Sequence, residues 1–501
     1  MLAVTIAASP FTALVLIVKK ILPAIKPETV KMLTMTQSNA HSTPRSIRWL
    51  LGIAILAHLV IVASIVRQPF NVQNAPPSER SLVFPLYNDA VHRIGPFADF
   101  FAVYRSGFCL RQGIDFYGSG TRITEVPYFY HYRYLPVVAY ALGLPLSFLS
   151  ARAAAILWTL LLEAVLAAFL LLYWRRTEDL GTRVLAAVFL LLSTPYFLEV
   201  HMGQCTFATL ALVGIALLLV EAPAEPTAGA YRPATGAAAS GSGSSGKRMV
   251  GAAAAFSAAV LLKLFPFVLA PALLRRGRMG RFWLLAAASS LVLLNLPYFL
   301  LHSLSWSHYL ERNFSPGAVW DGLSPGNHGL VYILHLLIQD LGGAWSRAGW
   351  VDFVQIWRVL VLGPACLLVL LSRRKDFVAG AAVLIFAHFA AFHQVWEHHW
   401  SGALILGLLL LRHPAFSERE RGVRRLGLIL GLALWAMPTP FIFLDHLYGA
   451  GGGDPSETWP SWARLLPPAV KVVPLIGILS FLVRDFARAG WVLPFRRAPG
   501  G

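Results

Sequence analysis

Long apolar runs alternate along this chain with short basic or polar breaks, and that rhythm predicts helices. Apolar stretches lie near 49–66, 134–150, 152–174, 183–198, 203–221, 249–274, 281–301, 328–342, 354–372, 376–392, 400–412, 424–444 and 467–484. A helix crossing a hydrocarbon core of about 30 Å needs roughly 17–25 such residues. Basic clusters sit beside the runs, at 175–183, 247–248, 275–281, 373–375, 412–425 and 484–497. Assigned together to the cytoplasmic side, they agree only if 134–150 and 328–342 do not cross. The 249–274 run must also enter and leave on one face. Broken helices are tolerated at membrane depth where they line a protein cavity. The pattern therefore predicts an all-α polytopic membrane protein with about ten full crossings and three partial ones.

Composition supports this reading. The chain is 57% hydrophobic and 13% charged, with a mean hydropathy of +0.62, where soluble domains carry about a quarter charged residues. Its net charge of +18 comes from the flanking clusters, which suit anionic membrane lipids. No nucleic acid is expected as a partner. Three cysteines, Cys109, Cys205 and Cys366, show no metal spacing. A Cys109–Cys205 disulfide and three unpaired thiols both remain open.

Three divisions follow. Residues 1–48 read as an extra helix or as a stretch before a start at Met32 or Met35. Residues 49–485 form the membrane domain, with 68–133 as an external loop and 222–248 as a flexible cytoplasmic linker rich in Ala, Gly, Ser and Pro. Gly449–Asp454 reads as an external loop, and 486–501 as a basic cytoplasmic tail. No G-x-x-x-x-G-K-[ST] loop is present, so no nucleotide or other cofactor is expected.

The same topology gathers polar groups on the outer face: Asp99 with Asp115, Gln204, Asn327, and the run His393 to His399. Phe97 to Leu110 has helical apolar spacing, which predicts an amphipathic helix lying on the membrane surface. Asp99 opens that segment, so it suits either a general base or a helix N-cap. One base is enough for a sugar transfer that displaces phosphate, because phosphate leaves without much acid assistance. Lys263 stands inside an apolar run before Pro266, which fits either a phosphate-binding cation or a snorkelling side chain. His393 and Glu397 are four apart and would be neighbours on a helix. With no HExxH pattern and no closed ligand set, the run suits sugar hydroxyls or phosphate better than a metal. Arg133 lies among Tyr128, Tyr130, Tyr132 and Tyr134, which read either as the lip of a site or as an interfacial aromatic belt.

Taken in order, several motifs resemble one family. They are Asp99-Phe100 to Tyr104, Gly113-Ile-Asp115-Phe-Tyr117, Tyr132-Arg-Tyr-Leu-Pro136, Gly203-Gln204, Leu262-Lys-Leu-Phe-Pro266 and Trp396-Glu397-His398-His399. From about 49 to 485 the chain resembles glycosyltransferase family 87, which includes polyprenyl-phosphate-mannose-dependent mannosyltransferases. The resemblance implies a GT-C membrane fold and a polyprenyl-phosphate sugar donor. It also implies a lipid or glycan acceptor, and a site on the outer face of the plasma membrane. Carried over, Asp99 is the catalytic base, Lys263 is the family's lysine, and His398 or His399 lies near the base; Lys263, and Arg133 from its own setting, are expected to hold the donor phosphate. Tyr104, Asp115, Gln204, Asn327, His393 and Glu397 are expected to contact substrate. The chain departs from the family pattern at Leu135, where proline is usual, and at Thr206, where asparagine is common. A transporter or flippase of a lipid-linked or anionic solute is the rival expectation, although no internal repeat relates the two halves.

Overall fold

The computed structural model describes residues 45–71, 77–83, 96–118, 123–127, 129–221, 242–316, 319, 326–413, 416, 422–439 and 460–491. The expectations for 1–44, for most of the 222–248 linker, for Tyr128, for the Gly449–Asp454 loop and for the tail beyond 491 lie outside the described residues. Among the described residues the chain is all-helical, with no β-strand. In order the helices used below are α1 (Arg45–Arg67), α2 (Ala98–Gln112), α3 (Ala151–Arg176), α4 (Leu180–Leu191), α5 (Thr194–Met202), α6 (Thr206–Val220), α7 (Ser242–Leu262), α8 (Ala270–Arg275) and α9 (Arg278–Leu301). They continue as α10 (Ser303–Phe314), α11 (Leu330–Asp340), α12 (Arg347–Leu371), α13 (Phe377–Ala391), α14 (Trp400–Arg412), α15 (Gly422–Ala436) and α16 (Ser461–Arg488).

The long helices stand outside and the short helices α13 and α14 inside. Among the described residues five helices, α1, α3, α9, α12 and α16, are long and apolar enough to cross a membrane. The α4–α5 pair, bent by 41°, passes the same test only when its two helices are taken together. Only 17–39% of each long span is buried, and Leu293, Leu300, Val359 and Leu360 stand open on their flanks. By contrast α14 buries every residue from Trp400 to Leu411, and α13 buries nearly all of its length. A helix that is apolar all round belongs in an interior. The ten full crossings expected from hydropathy are therefore not established. Several apolar runs form helices of 10–17 residues, about 15–25 Å long at 1.5 Å per residue. Pro136–Leu146 and α11 are two of these short helices, as their length in the sequence suggested.

The 249–274 run doubles back. α7 packs antiparallel to α6, which brings Lys263 beside Thr206 at one end and Gly251 beside Leu219 at the other. Pro266 has no N–H to continue the helix, and a 3-10 turn, Phe265–Leu269, follows. The chain then descends along α13. Phe265 stacks on His388 near the C-terminus of that helix, while Arg275 donates to the Arg374 carbonyl just before its start. The run thus begins and ends at the same end of the bundle, as the charge pattern required.

One expectation is overturned. α2 does not lie on the surface with one face open, because twelve consecutive residues, Ala98 to Cys109, are buried. Its Gly107 meets Gly143 of the Pro136–Leu146 segment backbone to backbone, and a Cβ there would fall 2.0 Å from the Gly143 carbonyl oxygen. Small residues permit such close helix contact inside membrane proteins. The apolar periodicity of Phe97 to Leu110 is real, but it is met by protein on all sides.

Candidate active site

Asp99 is set by its backbone. The residue before α2, Phe97, holds a left-handed conformation with φ 63°, which is uncommon for a bulky side chain. Its N–H donates to the His201 carbonyl at 2.6 Å, and its ring is enclosed by Phe70 and Phe100. Strain of this kind persists only where the surroundings over-determine it. Phe97, not Asp99, is the N-cap, and no side chain caps the helix. The capping role open to Asp99 in the sequence is therefore not the one it plays. Gly203, at φ 66°, allows Phe100 to approach, since a Cβ there would lie 2.4 Å from that of Phe100. This contact brings Gln204 to Asp99. Burial raises the Asp99 carboxyl to about 6, against the lowering pull of Lys263, Arg133 and the Gln204 hydrogen bond.

Lys263 sits at the break after α7. Its ammonium donates to the Thr206 hydroxyl at 2.6 Å. Thr206, where the chain departs from the family pattern, thus carries the hydroxyl that steadies this lysine. Tyr134 donates to Gln204 Oε1 at 3.1 Å, which fixes the amide that faces Asp99.

The run from His393 to His399 is not an α-helix. Residues 392–396 are non-helical, with a bend at His393, and only Glu397–His399 makes a 3-10 turn. The helical proximity expected for His393 and Glu397 is absent. Glu397 accepts from the Thr439 backbone and hydroxyl at 2.9 and 3.0 Å and lies 3.8 Å from Lys471. His393 Nδ1 instead takes a hydrogen from Arg358 at 2.6 Å. His399 Nδ1 accepts from the Trp396 N–H at 3.1 Å, which leaves Nε2 as the donor of a neutral ring. Burial first, then His398 and Lys263, hold His399 well below the ordinary histidine range, so it is neutral.

A single cavity of about 560 Å³ gathers part of the expected set. Asp99, Arg133, Gln204, Lys263, His393 and His399 line it. Five expected residues do not. Tyr104 donates to the Leu149 carbonyl at 2.7 Å. Asn327 braces the His393 carbonyl and the Val395 N–H. Glu397 is engaged as above, and His398 is buried behind the turn. Asp115 accepts from Tyr298, His308 and the Tyr117 N–H. Its burial favours a raised pKa, but the hydrogen bonds from His308, Ser305, Tyr117 and Tyr298 outweigh that and lower it. It ties its loop to α9 and α10, and α10 supplies Tyr309 and Asn313 to the cavity wall.

Sequence reasoning missed Arg358, Gln355 and His388, which also line the cavity. Arg358 carried the signal used for Lys263, a charge in an apolar run, but it lies near the start of the 354–372 stretch and reads there as a flank. Glu199 was missed as well. It is fully buried, accepts from the Phe207 N–H at 2.7 Å, and lies within electrostatic reach of Lys263 and Asp99. Among the described residues the three cysteines are free, and no group of three or more His, Cys, Asp or Glu side chains is placed to hold a metal ion.

A helical membrane protein whose central cavity is lined by a carboxylate, several cations and an aromatic wall has the parts of an enzyme acting on a polar, anionic substrate within a membrane. The family profile of glycosyltransferase family 87 matches residues 132–394, more than half of the chain, and the chain belongs to that family. It is a membrane glycosyltransferase. No curated protein matches it. The matched region holds Arg133, Gln204, Lys263, Arg358 and His393, while Asp99 precedes it and His399 follows it.

Proposed function

We propose that this protein transfers a hexose, with mannose the leading candidate, from a polyprenyl-phosphate sugar to a lipid or glycan acceptor on the outer face of the plasma membrane. The observation that carries the reading is the carboxylate of Asp99 beside Lys263 and Arg133 in one cavity. Asp99 takes the proton of the acceptor hydroxyl. The acceptor oxygen then bonds to the anomeric carbon as the bond from that carbon to the phosphate oxygen breaks. The electron pair leaves with polyprenyl phosphate, whose growing charge Lys263 and Arg133 stabilise. A direct displacement with one base inverts the anomeric centre, and no cofactor or metal takes part in this scheme. Gln204, His393 and His399 offer hydrogen bonds to sugar hydroxyls.

Transfer of radiolabelled hexose from polyprenyl-phosphate-hexose in membranes tests the reading. Asp99→Asn is expected to abolish product while the protein stays folded. Wild-type transfer by that variant removes Asp99 as the base. Labelling of a cysteine at position 99 from the cytoplasm would overturn the outer-face assignment. Transport without glycosidic product is the outcome a flippase would give, and family membership favours the enzyme.

A further inference from the structure

Glu199 is a buried acid that the proposed chemistry leaves unused. It stands in the last turn of α5 and is fully enclosed, and it is not among the residues that line the cavity. Its backbone and its side chain hold opposite ends of one turn. The Glu199 carbonyl takes the Gln204 N–H at 3.0 Å, which closes α5 around Gly203. The Glu199 carboxylate reaches across the turn and accepts from the Phe207 N–H at 2.7 Å, and the Thr206 N–H faces the same group. Both are first-turn donors of α6, which a helix leaves without internal partners. Cys205, the residue before α6, supplies no side-chain cap. Glu199 therefore caps α6 from the preceding helix, and a carboxylate is the kind of group that a helix N-terminus favours.

The platform under this cap is firm. Tyr196, one turn earlier on α5, donates to Glu163 of α3 at 3.0 Å and packs edge-on against Phe207 at 4.6 Å. Phe207 is thus held at its N–H by Glu199 and at its ring by Tyr196. The turn itself carries part of the site. Gln204 Oε1 accepts from Tyr134 at 3.1 Å and from the Cys205 N–H at 3.4 Å, while the same side chain hydrogen-bonds Asp99. Two residues on, the Thr206 hydroxyl takes the Lys263 ammonium at 2.6 Å.

We propose that Glu199 is a positioning residue for the transfer. By clamping residues 203–206 at both ends, it sets Gln204 on Asp99 and Thr206 on Lys263, and so fixes how the two face each other. The inference rests on the reading of Asp99 as base and Lys263 as phosphate-binding cation for its kinetic consequences. Side-chain length separates the clamp from the charge. Aspartate at 199 keeps the acid but falls short of the Phe207 N–H, whereas glutamine loses the acid and keeps an oxygen at that N–H.

Backbone amide exchange in the full-length protein in nanodiscs tests the clamp without any chemical step. Glu199→Ala and Glu199→Asp are expected to speed exchange at residues 204–207 about tenfold, the scale of a lost helix cap, and Glu199→Gln to retain protection. Wild-type protection in the alanine and aspartate variants overturns the proposal. In transfer assays the alanine and aspartate variants should lower kcat/KM by up to about 10²-fold, as misplacement of a reacting group by about 1 Å does. Glu199→Gln should restore most of it. The acid midpoint of kcat/KM should also move upward in Glu199→Ala, because the Gln204 hydrogen bond lowers the Asp99 pKa. The opposite ranking, with aspartate active and glutamine impaired, makes the charge the operative feature and overturns the clamp. A lower melting temperature with unchanged kinetics per folded molecule assigns Glu199 to stability alone and overturns it too. Should Glu199→Ala not fold, the aspartate and glutamine variants carry the same ranking. Absence of wild-type transfer from polyprenyl-phosphate-hexose would remove the donor reading and leave amide exchange to decide the clamp.

Discussion

Two couplings of a carboxylate with a lysine in this protein, Glu397 with Lys471 and Asp99 with Lys263, have the same chemistry and opposite surroundings. Glu397 and Lys471 are both enclosed, at 4% and 0% side-chain exposure. Glu397 is met by the Thr439 backbone and hydroxyl. The Lys471 ammonium donates to the carbonyls of Leu434, Trp435 and Met437, groups that the end of α15 leaves without helical partners. The pair closes on itself and locks the 397–399 turn to α15 and α16. Asp99 and Lys263 instead face a cavity, and Lys263 has a single hydroxyl partner. Satisfied polar networks rigidify a core. A pair left facing a cavity keeps hydrogen-bonding capacity for a ligand. Proximity of opposite charges is common to both couplings, and what differs is the number of partners each charge already has.

Substitutions should break the two pairs in different ways. Asp99→Asn is expected to give the largest effect, a loss of transfer of about 10²–10⁴-fold, the usual worth of a general base, read as product per folded molecule. Its melting temperature at pH 7 should hold or rise. The sign follows from the carboxyl being raised by burial from 3.8 to about 6. Folding favours the protonated form, so stability from this group is greatest below about pH 4 and is lost as the pH rises to about 6. The amide removes that cost. A lower melting temperature in Asp99→Asn would show that the carboxylate is structural.

Lys471→Met is expected to do the reverse. Removing one member of a buried pair costs about 3–5 kcal/mol, visible as a lower thermal midpoint in detergent, with residual activity per folded molecule retained. Restoration of part of that stability by adding Glu397→Gln would sharpen the structural assignment. Lys263→Met should raise the donor KM about tenfold or more through loss of a charge-assisted contact, with little change in melting temperature. A drop as large as that of Lys471→Met would erase the contrast between the pairs.

The smallest effect is a shift in pH dependence. kcat/KM is expected to fall on the acid side with a midpoint near pH 6, as Asp99 takes up its proton. Lys263 and Arg133 lower that value, so Lys263→Met should move the midpoint upward. An unmoved acid limb would place the titrating group elsewhere.

The residues themselves determined much of this protein. Hydropathy made it an all-helical membrane protein, because backbone polar groups in lipid must be satisfied within the segment. Charge flanking required the 249–274 run to turn back, and Lys263 with Pro266 marked where. Motif order placed the chain in its family. What sequence could not supply was facing. A helix inside the bundle and a helix against lipid are equally apolar, so α13, α14 and the buried α2 were indistinguishable from spans or surface helices until packing placed them. Facing also sorted the candidate residues. Glu397 and Lys263 are both charges beside apolar runs, yet partners 42 and 74 positions along the chain, at Thr439 and Lys471, close off the first. Arg358 and Glu199 enter the picture for the same reason. A cavity is the joint product of distant segments, and its lining follows from how those segments pack, which no local pattern along the chain records.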